Sequence, residues 1–520
     1  MSSRKCSSVV AGKITDDDSG GILLSRNPAH LDDVVAEVAL GSGATYLKAL
    51  RSARAAQPSW SKVPAPVRGR TVAEIGRIVE HNKEPLARLI TREVGKPYVE
   101  SLGEVQEIID TCDFFLGEGR RLYGETVPSE MRDKALFTYR MPVGTLAVIT
   151  AGNFPVAVPS WYLVPALLCG DTVAWKPAEY SAGVATALYE CFAAGGLPDG
   201  VLNLVLADGA ATFAGLEAGL SEAILDKVGF TGSSAVGSRI GELCGRHLQS
   251  PCLELGGKNP MVVMSDCDLD LAVEGALFSG FGTAGQRCTS LGTAIVQEPV
   301  HDEFVARLTS RLDAAALGDP FSEVLYGPML DERFAARFSG YFVELVEDHH
   351  RLVGGGPTGR ITAAAPRAGF VGDPDEGVFC HPTILDGVRI DDAIARTETF
   401  GPMIGVAGFA ELDEAMAIAN CSGYGLSSAI YTASPETVFA FRNAISAGMV
   451  SVNNSTSGAE AHLPFGGNGR SGNGSRQSGK WVLDQMTRWQ SVNWDYSGHL
   501  QRAQMDTDPV VADRAYRVEP

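Results

Sequence analysis

Apolar and polar residues follow two periods along this chain. In residues 44–89 and 100–116, apolar side chains recur at helical spacing, which predicts amphipathic helices. Short runs that are almost wholly apolar, such as 146–149, 172–175 and 201–205, predict strands buried on both faces, as in a parallel sheet. Because the two patterns alternate over most of the chain, we predict an α/β fold.

The chain ends and one late segment lack such regularity. Residues 1–33 are rich in Gly, Ser and Asp, and we expect a loose arm that leads into short strands. Residues 136–140 are β-prone and predict a strand or hairpin that feeds the strand at 146–149. Residues 455–467 predict a flexible loop facing a substrate, or a plain linker. A last helix and strand are expected at 481–494, before a polar tail that wraps a neighbouring subunit or stays mobile.

Composition narrows the class of protein. At 520 residues, with 45% hydrophobic and 20% charged residues, the chain is long enough for two domains. It has no apolar run of the roughly 18 residues that span a bilayer, and residues 1–18 have no signal-peptide core, so we predict a cytoplasmic protein. The net charge of −19 disfavours nucleic acid as a partner and favours small molecules.

The cysteines do not form a recognisable framework. None of the ten belongs to a Cys-x-x-Cys pair, and the nine histidines show no zinc-ligand spacing. We therefore predict neither structural disulfides nor a metal site, and we expect most thiols to be packing residues.

One carboxylate and one cysteine nevertheless have the surroundings of reactive groups. Glu254 lies between two leucines and before two glycines, where partial desolvation would raise its pKa and suit it to deprotonate water. Cys288 follows small residues that allow close approach of a substrate, and the adjacent Arg287 would favour its thiolate. The alternatives are a solvated turn residue for Glu254 and a small buried hydrophobic residue for Cys288.

The two segments resemble the signatures of a known enzyme family. Glu254-Leu255-Gly256-Gly257-Lys258 and Gly285-Gln286-Arg287-Cys288 are similar to the Glu-Leu-Gly-Gly-Lys and Gly-Gln-x-Cys motifs of the aldehyde dehydrogenase superfamily. The resemblance covers about residues 43–495. It implies a Rossmann-like dinucleotide-binding domain (1–122 and 146–256), a second α/β catalytic domain (257–455) and a β-hairpin oligomerisation element (123–145 and 480–520) in a homodimer or homotetramer.

The resemblance also implies a reaction. The Cys288 thiolate would add to an aldehyde, and Asn153, in a loop after a strand, would donate a hydrogen bond to the oxyanion together with the Cys288 N–H. Hydride transfer to NAD would leave a thioester, which water activated by Glu254 would hydrolyse. Taken alone, Asn153 could equally be a turn residue.

The cofactor implied is NAD, held by residues from several segments. Lys176 and Glu179 at a strand end can bind sugar hydroxyls, and Glu179 would repel a 2′-phosphate, which favours NAD over NADP. The turn at Ser233 precedes a helix start that can bind phosphate. Outside this context the charged residues could be ordinary surface residues. The implied cofactor contacts are Lys176, Glu179, Gly232, Ser233, Gly237, Leu255, Glu398 and Phe400.

Substrate residues are implied less directly. Phe154, Trp161 and Phe465 resemble residues of the family's substrate tunnel, with core packing as the alternative. Tyr162 departs from the family, in which a lysine commonly follows this tryptophan, so a proton relay through a lysine is not expected here.

Four further positions resemble the antiquitin branch, which oxidises α-aminoadipic semialdehyde. In that branch the residues matching Glu107 and Arg287, with loop amides matching Gly458 and Ala459, grip the amino-acid end of the substrate. Residues 461–464 are more similar to relatives that oxidise 2-oxoglutarate semialdehyde. Arg287 would either steer a carboxylate or pair with a structural acid. Our hypothesis is a short aldehyde with a distal carboxylate, with 2-oxoglutarate semialdehyde or a broad range of aldehydes as the alternative substrates. A cysteine hydrolase or esterase and a non-catalytic binding protein of the same fold are the alternative classes.

Overall fold

The computed structural model describes residues 3–353 and 359–520 and has the predicted α/β architecture. Its helices surround three main sheets. Within the described ranges, the α-helices are α1 Gly43–Trp60, α2 Ala65–His81, α3 Lys83–Val94, α4 Tyr98–Arg121, α5 Ala157–Cys169, α6 Ala182–Ala194, α7 Gly209–Ser221, α8 Ser234–Arg246, α9 Leu269–Phe281, α10 Glu298–Ala314, α11 Glu332–Glu344, α12 Ala393–Arg396, α13 Leu412–Asn420, α14 Pro435–Ala444 and α15 Leu483–Met486.

The strands are short, and most of those in the two large sheets are buried. In the same ranges they are β1 Arg4–Cys6, β2 Val9–Val10, β3 Lys13–Ile14, β4 Ile22–Asn27, β5 His30–Ala39, β6 Thr126–Val127, β7 Lys134–Pro142, β8 Thr145–Ile149, β9 Thr172–Lys176, β10 Leu202–Leu204, β11 Lys227–Thr231, β12 Cys252–Glu254, β13 Asn259–Val263, β14 Leu291–Gln297, β15 Leu317–Gly318, β16 Arg351–Val353, β17 Phe370–Val371, β18 Thr383–Asp386, β19 Met403–Phe409, β20 Tyr424–Gly425, β21 Ser427–Tyr431, β22 Met449–Val452, β23 Asn468–Gly469 and β24 Thr487–Asp495.

The first large sheet has the order β12-β11-β8-β9-β10-β2-β3. The five strands from β12 to β10 in this order are parallel, and strands β8, β9 and β11 are buried at every residue, because helices cover the sheet. The loops after β8, β9, β11 and β12 therefore leave the sheet at one edge, the carboxyl edge at which open α/β sheets bind ligands.

The second large sheet has the order β16-β18-β19-β14-β13-β21-β22. All its pairings are parallel except that of β16 with β18. The segment with Cys288 enters β14, and the segment with Glu398 enters β19, so both lie at the amino-terminal ends of their strands. The space between the two sheets is thus bordered by the carboxyl edge of the first sheet and by the amino edge of the second.

The third sheet joins distant parts of the chain. Strands β7 and β24 pair antiparallel along nine residues each, and several of their apolar side chains, including Tyr139, Trp489 and Trp494, are exposed. Each of the three sheets lies within one of the three predicted domain ranges. We therefore propose that the chain is divided into these three domains.

The prediction of a loose arm at residues 1–33 is wrong. Strand β1 pairs in parallel with β5, and β2 pairs with β10 at the end of the first sheet. Cys6, Val9 and Val10 are buried and anchor the arm. These apolar residues are too few to form a recognisable period in the sequence. No helix in the described ranges combines the length and the apolar character that a membrane crossing needs.

Elsewhere the predicted elements are confirmed, with shifts at their ends. The helical region 44–89 is divided among α1, α2 and α3, and residues 455–467 contain no regular element. The helix expected near 481 is reduced to the 3-10 turn Lys480–Val482 and the single turn α15.

Gly95 ends α3 in the left-handed conformation, with φ of +78°, and directly precedes the buried Lys96. A Cβ at Gly95 would lie 2.4 Å from Cγ of Pro328, whereas one at Gly196, with φ of +88°, would meet no atom within 4 Å. We expect Gly196→Ala to lower the free energy of unfolding by about 1–2 kcal/mol through backbone strain. Gly95→Ala should cost about 1–3 kcal/mol more because of the clash. Urea denaturation of both variants measures this difference, and equal losses would contradict it.

Candidate active site

A cavity of about 660 Å³ lies between the carboxyl edge of the first sheet and the loops of the second. Glu254, Lys176, Glu179 and Gly237 are not among the described residues that line it. The other fourteen predicted site residues all line it: Glu107, Asn153, Phe154, Trp161, Gly232, Ser233, Leu255, Arg287, Cys288, Glu398, Phe400, Gly458, Ala459 and Phe465. Motifs spread over 359 residues of sequence thus surround one space.

Cys288 is held in this cavity by contacts on both sides of the cleft. The Asn153 side chain donates from Nδ2 to the Gln286 carbonyl at 2.8 Å, which joins the loop after β8 to the segment with the cysteine. Asn259 donates from Nδ2 to the Cys288 carbonyl at 2.9 Å. Cys288 is one of three cysteines in the chain that are not fully buried. Cys288 and Asn153 therefore both line the cavity and are linked through Gln286.

The prediction that Arg287 favours the Cys288 thiolate is wrong. Arg287 directs its guanidinium to Glu100, donating from Nη2 to Oε2 at 2.6 Å. Burial raises the pKa of Cys288 well above its ordinary value, and the carboxyl groups of Glu254 and Glu398 raise it further. At neutral pH the cysteine is thus a neutral thiol in this structure. Of the two alternatives for Arg287, the structure shows the pairing with a structural acid.

Glu254 is fully buried, and neither of its carboxyl oxygens has a hydrogen-bond partner among the described residues. Burial raises its pKa well above the ordinary value, so the predicted direction is confirmed and the alternative of a solvated turn residue is excluded. Buried polar atoms without partners are rare and costly. Such a group is better explained by a chemical role than by a contribution to stability.

The segment after β11 has the features of a phosphate-binding turn. Ser233 caps α8 by accepting from the Val236 N–H at 3.4 Å, and Gly232 and Ser233 line the cavity. A Cβ at Gly237 would lie 2.3 Å from Cδ2 of Leu255, so glycine is needed for the close packing of α8 on Leu255. The first N–H groups of a 13-residue helix consequently lie beside the cavity, an arrangement that fits an anion.

Lys176 and Glu179 form an ion pair beside this region, with Nζ and Oε2 3.0 Å apart. Lys176 is buried, which excludes the alternative of an ordinary surface charge. Although burial acts to raise it, the Lys176 ammonium holds the pKa of Glu179 below its ordinary value. The carboxylate is therefore charged, as required to repel a 2′-phosphate.

Glu398 and Phe400 come from the segment before β19. The Gly257 N–H donates to Oε1 of Glu398 at 3.3 Å, and burial raises the pKa of Glu398 to about 7. The ring of Phe400 contacts that of Phe334, with centroids 5.7 Å apart. Glu398 and Phe400 line the same cavity as Ser233 and Leu255.

Another part of the cavity is lined by aromatic and acidic side chains. The rings of Trp161 and Phe465 lie 4.4 Å apart, and the Trp161 indole donates from Nε1 to Oε1 of Glu107 at 2.8 Å. Burial raises the pKa of Glu107 to about 7. The backbone N–H groups of Gly458 and Ala459 are exposed and have no acceptor among the described residues. This part of the cavity can therefore accept hydrogen-bonding groups of a ligand.

Sequence reasoning missed several lining residues, above all Glu100 and Glu104 on α4. With Glu107 they follow the spacing i, i+4, i+7, which puts three carboxylates on one helical face. That spacing was visible in the predicted helix and could have identified them. Tyr180 and Phe334 also line the cavity, and no sequence pattern indicated either of them.

One cluster outside the cavity, His349, His350 and Asp392, has the composition of a metal site. His350 accepts from the Glu347 N–H at Nδ1, so its Nε2 carries the proton and donates to Asp392 at 2.7 Å. That nitrogen has no lone pair left for a cation. Among the described residues this cluster is a hydrogen-bonded network.

Trp161 should report the protonation of Glu107. With a pKa of about 7, the Glu107 carboxyl is neutral below that pH and charged above it, and the Trp161 N–H donates to it. We expect a transition in intrinsic fluorescence with a midpoint near pH 7 that is absent from Glu107→Gln and from Trp161→Phe. The same transition in Glu107→Gln would contradict the assignment.

Comparison with known proteins agrees with this geometry. The sequence pattern of the Aldehyde dehydrogenase family matches residues 14–492. The chain is 33% identical to alpha-ketoglutaric semialdehyde dehydrogenase of Bacillus subtilis (93% of this chain, 96% of the relative) and 35% identical to alpha-aminoadipic semialdehyde dehydrogenase of Bos taurus (93% and 88%). The crystal structure of betaine aldehyde dehydrogenase from Staphylococcus aureus in complex with NAD+ superposes with a TM-score of 0.89 at 28% identity, covering 96% of each chain. The chain belongs to the aldehyde dehydrogenase family.

Proposed function

We propose that this aldehyde dehydrogenase uses NAD to oxidise a short semialdehyde with a distal carboxylate to the corresponding acid. The observation that carries the proposal is one cavity with three parts. It is lined by a phosphate-type turn, by Cys288 and Asn153, which are linked through Gln286, and by Glu107 together with the free backbone amides of Gly458 and Ala459.

Cys288 is the nucleophile in this proposal. The thiol releases its proton to solvent as its sulfur forms a bond to the aldehyde carbon, and the electron pair of the C=O π bond moves to the oxygen, which becomes an oxyanion. The Cys288 N–H interacts with the sulfur of its own side chain and forms no hydrogen bond to another described residue, and Asn153 uses only one of its two amide hydrogens, on Gln286. Both groups are therefore available to the oxyanion.

Glu254 acts in the second half of the reaction. Once the substrate is a thioester of Cys288, hydrolysis requires removal of a proton from water as its oxygen bonds to the acyl carbon. Burial and the absence of hydrogen-bond partners make Glu254 a stronger base than an ordinary carboxylate when it is ionised. The thiol then leaves and the carboxylic acid is released.

The residues that would hold NAD fit that cofactor. Gly232 and Ser233 open α8 towards the cavity for the pyrophosphate, Glu398 and Phe400 line the same cavity, and the charged Glu179 disfavours NADP. NAD, when bound, accepts the hydride that leaves the substrate carbon. The similar Staphylococcus aureus and Sinorhizobium meliloti enzymes, described respectively as a complex with NAD+ and as NAD-dependent, support this choice.

The part of the cavity around Glu107 supports the substrate class. The N–H groups of Gly458 and Ala459 can hold a carboxylate, whereas Arg287 is already neutralised by Glu100. Glu107 lacks a cationic partner among the described residues and suits an ammonium group, which favours an aminoadipic semialdehyde-like substrate. The similar Bacillus subtilis and Haloferax volcanii enzymes are alpha-ketoglutarate semialdehyde dehydrogenases, which makes 2-oxoglutarate semialdehyde the second candidate.

Assembly and location belong to the same proposal. The exposed apolar side chains of β7 and β24 form a surface suited to contact with another subunit, in a homodimer or homotetramer. We also propose that the enzyme works in the cytoplasm on a small-molecule aldehyde.

The roles of Cys288 and Glu254 can be separated by pre-steady-state kinetics. Cys288→Ala should lower aldehyde-dependent NADH formation by at least about a thousandfold, because no covalent bond forms. Glu254→Gln should give a burst of one NADH per subunit followed by slow turnover, because the thioester forms and is not hydrolysed. Native turnover by Cys288→Ala would overturn the proposal, and ester hydrolysis without NADH formation would indicate a cysteine hydrolase.

The substrate class can be tested by comparing aldehydes of similar length. We expect kcat/KM for aminoadipic semialdehyde to exceed that for an uncharged aliphatic aldehyde, with 2-oxoglutarate semialdehyde measured in parallel. Glu107→Gln should lower kcat/KM for the amino-bearing substrate by about tenfold and leave the 2-oxoglutarate substrate unchanged. A higher kcat/KM for the uncharged aldehyde would reject the class, and an equal effect of Glu107→Gln on both charged substrates would reject the ammonium contact.

A further inference from the structure

The segment before Cys288 contains an unusual backbone turn. Thr283 and Ala284 have φ/ψ of 51°/36° and 54°/34°, and Gly285 has φ of +67°, so three successive residues are left-handed. Only the glycine adopts this conformation without penalty. Residues in such conformations persist only when the surroundings hold them, and they concentrate at functional sites.

Glu100 of α4 supplies much of that hold. Its Oε1 accepts from the Thr283 N–H at 3.3 Å, and its Oε2 accepts from the Thr283 hydroxyl and from Nη2 of Arg287 at 2.6 Å. Arg287 also donates from Nε to the Thr283 hydroxyl at 3.4 Å, and its guanidinium lies 4.4 Å from the ring centre of Phe278. One carboxylate therefore binds the beginning of the turn and the residue adjacent to Cys288.

The charge of Glu100 suits this task. Burial alone would raise its pKa, but the Arg287 guanidinium, the Thr283 hydroxyl and Lys96 hold it below the ordinary value. The group is thus an anion that accepts three donors. An amide in the same place could still accept from Thr283 but would direct a donor NH₂ group at Arg287 or at the Thr283 hydroxyl.

A second set of bonds fixes the other side of the turn. Gln286 donates from its backbone N–H to the Thr283 carbonyl at 3.1 Å, and its side-chain oxygen accepts from the Leu330 N–H at 2.9 Å. Its carbonyl accepts from Asn153. The position of the Gln286 carbonyl, and with it the Asn153 amide and the Cys288 sulfur, therefore depends on the shape of the turn.

We infer that Glu100 is a positioning residue of the reaction: its carboxylate clamps the left-handed turn at Thr283 and Ala284 and thereby fixes Cys288 and Asn153 in their reactive arrangement. This inference rests on the proposed role of Cys288 as the nucleophile. The clamp acts through backbone geometry, so it affects the covalent step and leaves cofactor binding unchanged. Displacing reacting groups by about 1 Å costs about a hundredfold in rate.

The test compares Glu100→Gln with Glu118→Gln. Both glutamates are on α4 and both pair with an arginine, Glu118 with Arg121 at 2.5 Å, but Glu118 lies in the last turn of α4 and does not line the cavity. We expect Glu100→Gln to lower kcat by at least about tenfold with KM for NAD within about twofold of wild type. Glu118→Gln should retain the wild-type kcat.

Two further readouts separate a clamp from a general structural role. Hydrogen exchange should accelerate in the peptide that contains Thr283 in Glu100→Gln and not in Glu118→Gln, because the Thr283 N–H loses its charged acceptor. Adding Ala284→Gly to Glu100→Gln should restore at least half of the lost kcat, because glycine occupies the left-handed turn without strain.

The outcomes are distinguishable. The clamp is overturned if Glu100→Gln keeps the wild-type kcat, if its loss appears only as a higher KM for NAD, or if Ala284→Gly gives no rescue in a folded double variant. If Cys288→Ala retains native turnover, the proposed function fails and the clamp fails with it. If activity requires Cys288 but not Glu100, only the clamp fails.

Discussion

Lys96 and Glu104 form an ion pair in which both side chains are fully shielded from solvent, and Glu104 lines the cavity. Glu104 also accepts from the N–H groups of Val156 and Ala157 at 2.8 and 3.2 Å, at the start of α5. The Lys96 ammonium lies 3.3 Å from the ring centre of Phe154. A buried charge thus holds the loop that carries Asn153. Loss of either partner would leave the other charge buried and unpaired, which typically costs about 3–5 kcal/mol.

The same helix sets the charge of the cavity. Glu100 is balanced by Arg287 and Glu104 by Lys96, whereas Glu107 receives only the neutral indole N–H of Trp161. Three carboxylates one or two helical turns apart therefore have different partners. The first two form ion pairs within the protein, and the third is the one that we propose to interact with a ligand. The three glutamates differ because, among the described residues, folding brings a cation to Glu100 and to Glu104 but not to Glu107.

The surroundings of Cys288 and Glu254 favour the neutral forms of both groups. Burial disfavours the ions of both Cys288 and Glu254, and the Glu254 carboxyl group raises the pKa of the Cys288 thiol further. In the proposed mechanism, polar donors such as Asn153 stabilise the oxyanion of the adduct, so we expect the sulfur to react only when an aldehyde is bound.

The sequence by itself determined the α/β class, most helices and strands, and the family, because periodicity and short motifs are local properties of the chain. It also identified half of the residues that line the cavity, since each motif carries its own glycines, carboxylate or thiol. Only the tertiary structure decided what Arg287 does, because its partner Glu100 is 187 residues away and is reached by folding alone. Likewise, the N-terminal arm becomes β1 only where β5 offers a paired edge. Ion pairs and strand pairs form according to the distances between groups in the folded chain and the extent of their burial. Neither quantity can be calculated from the order of residues alone.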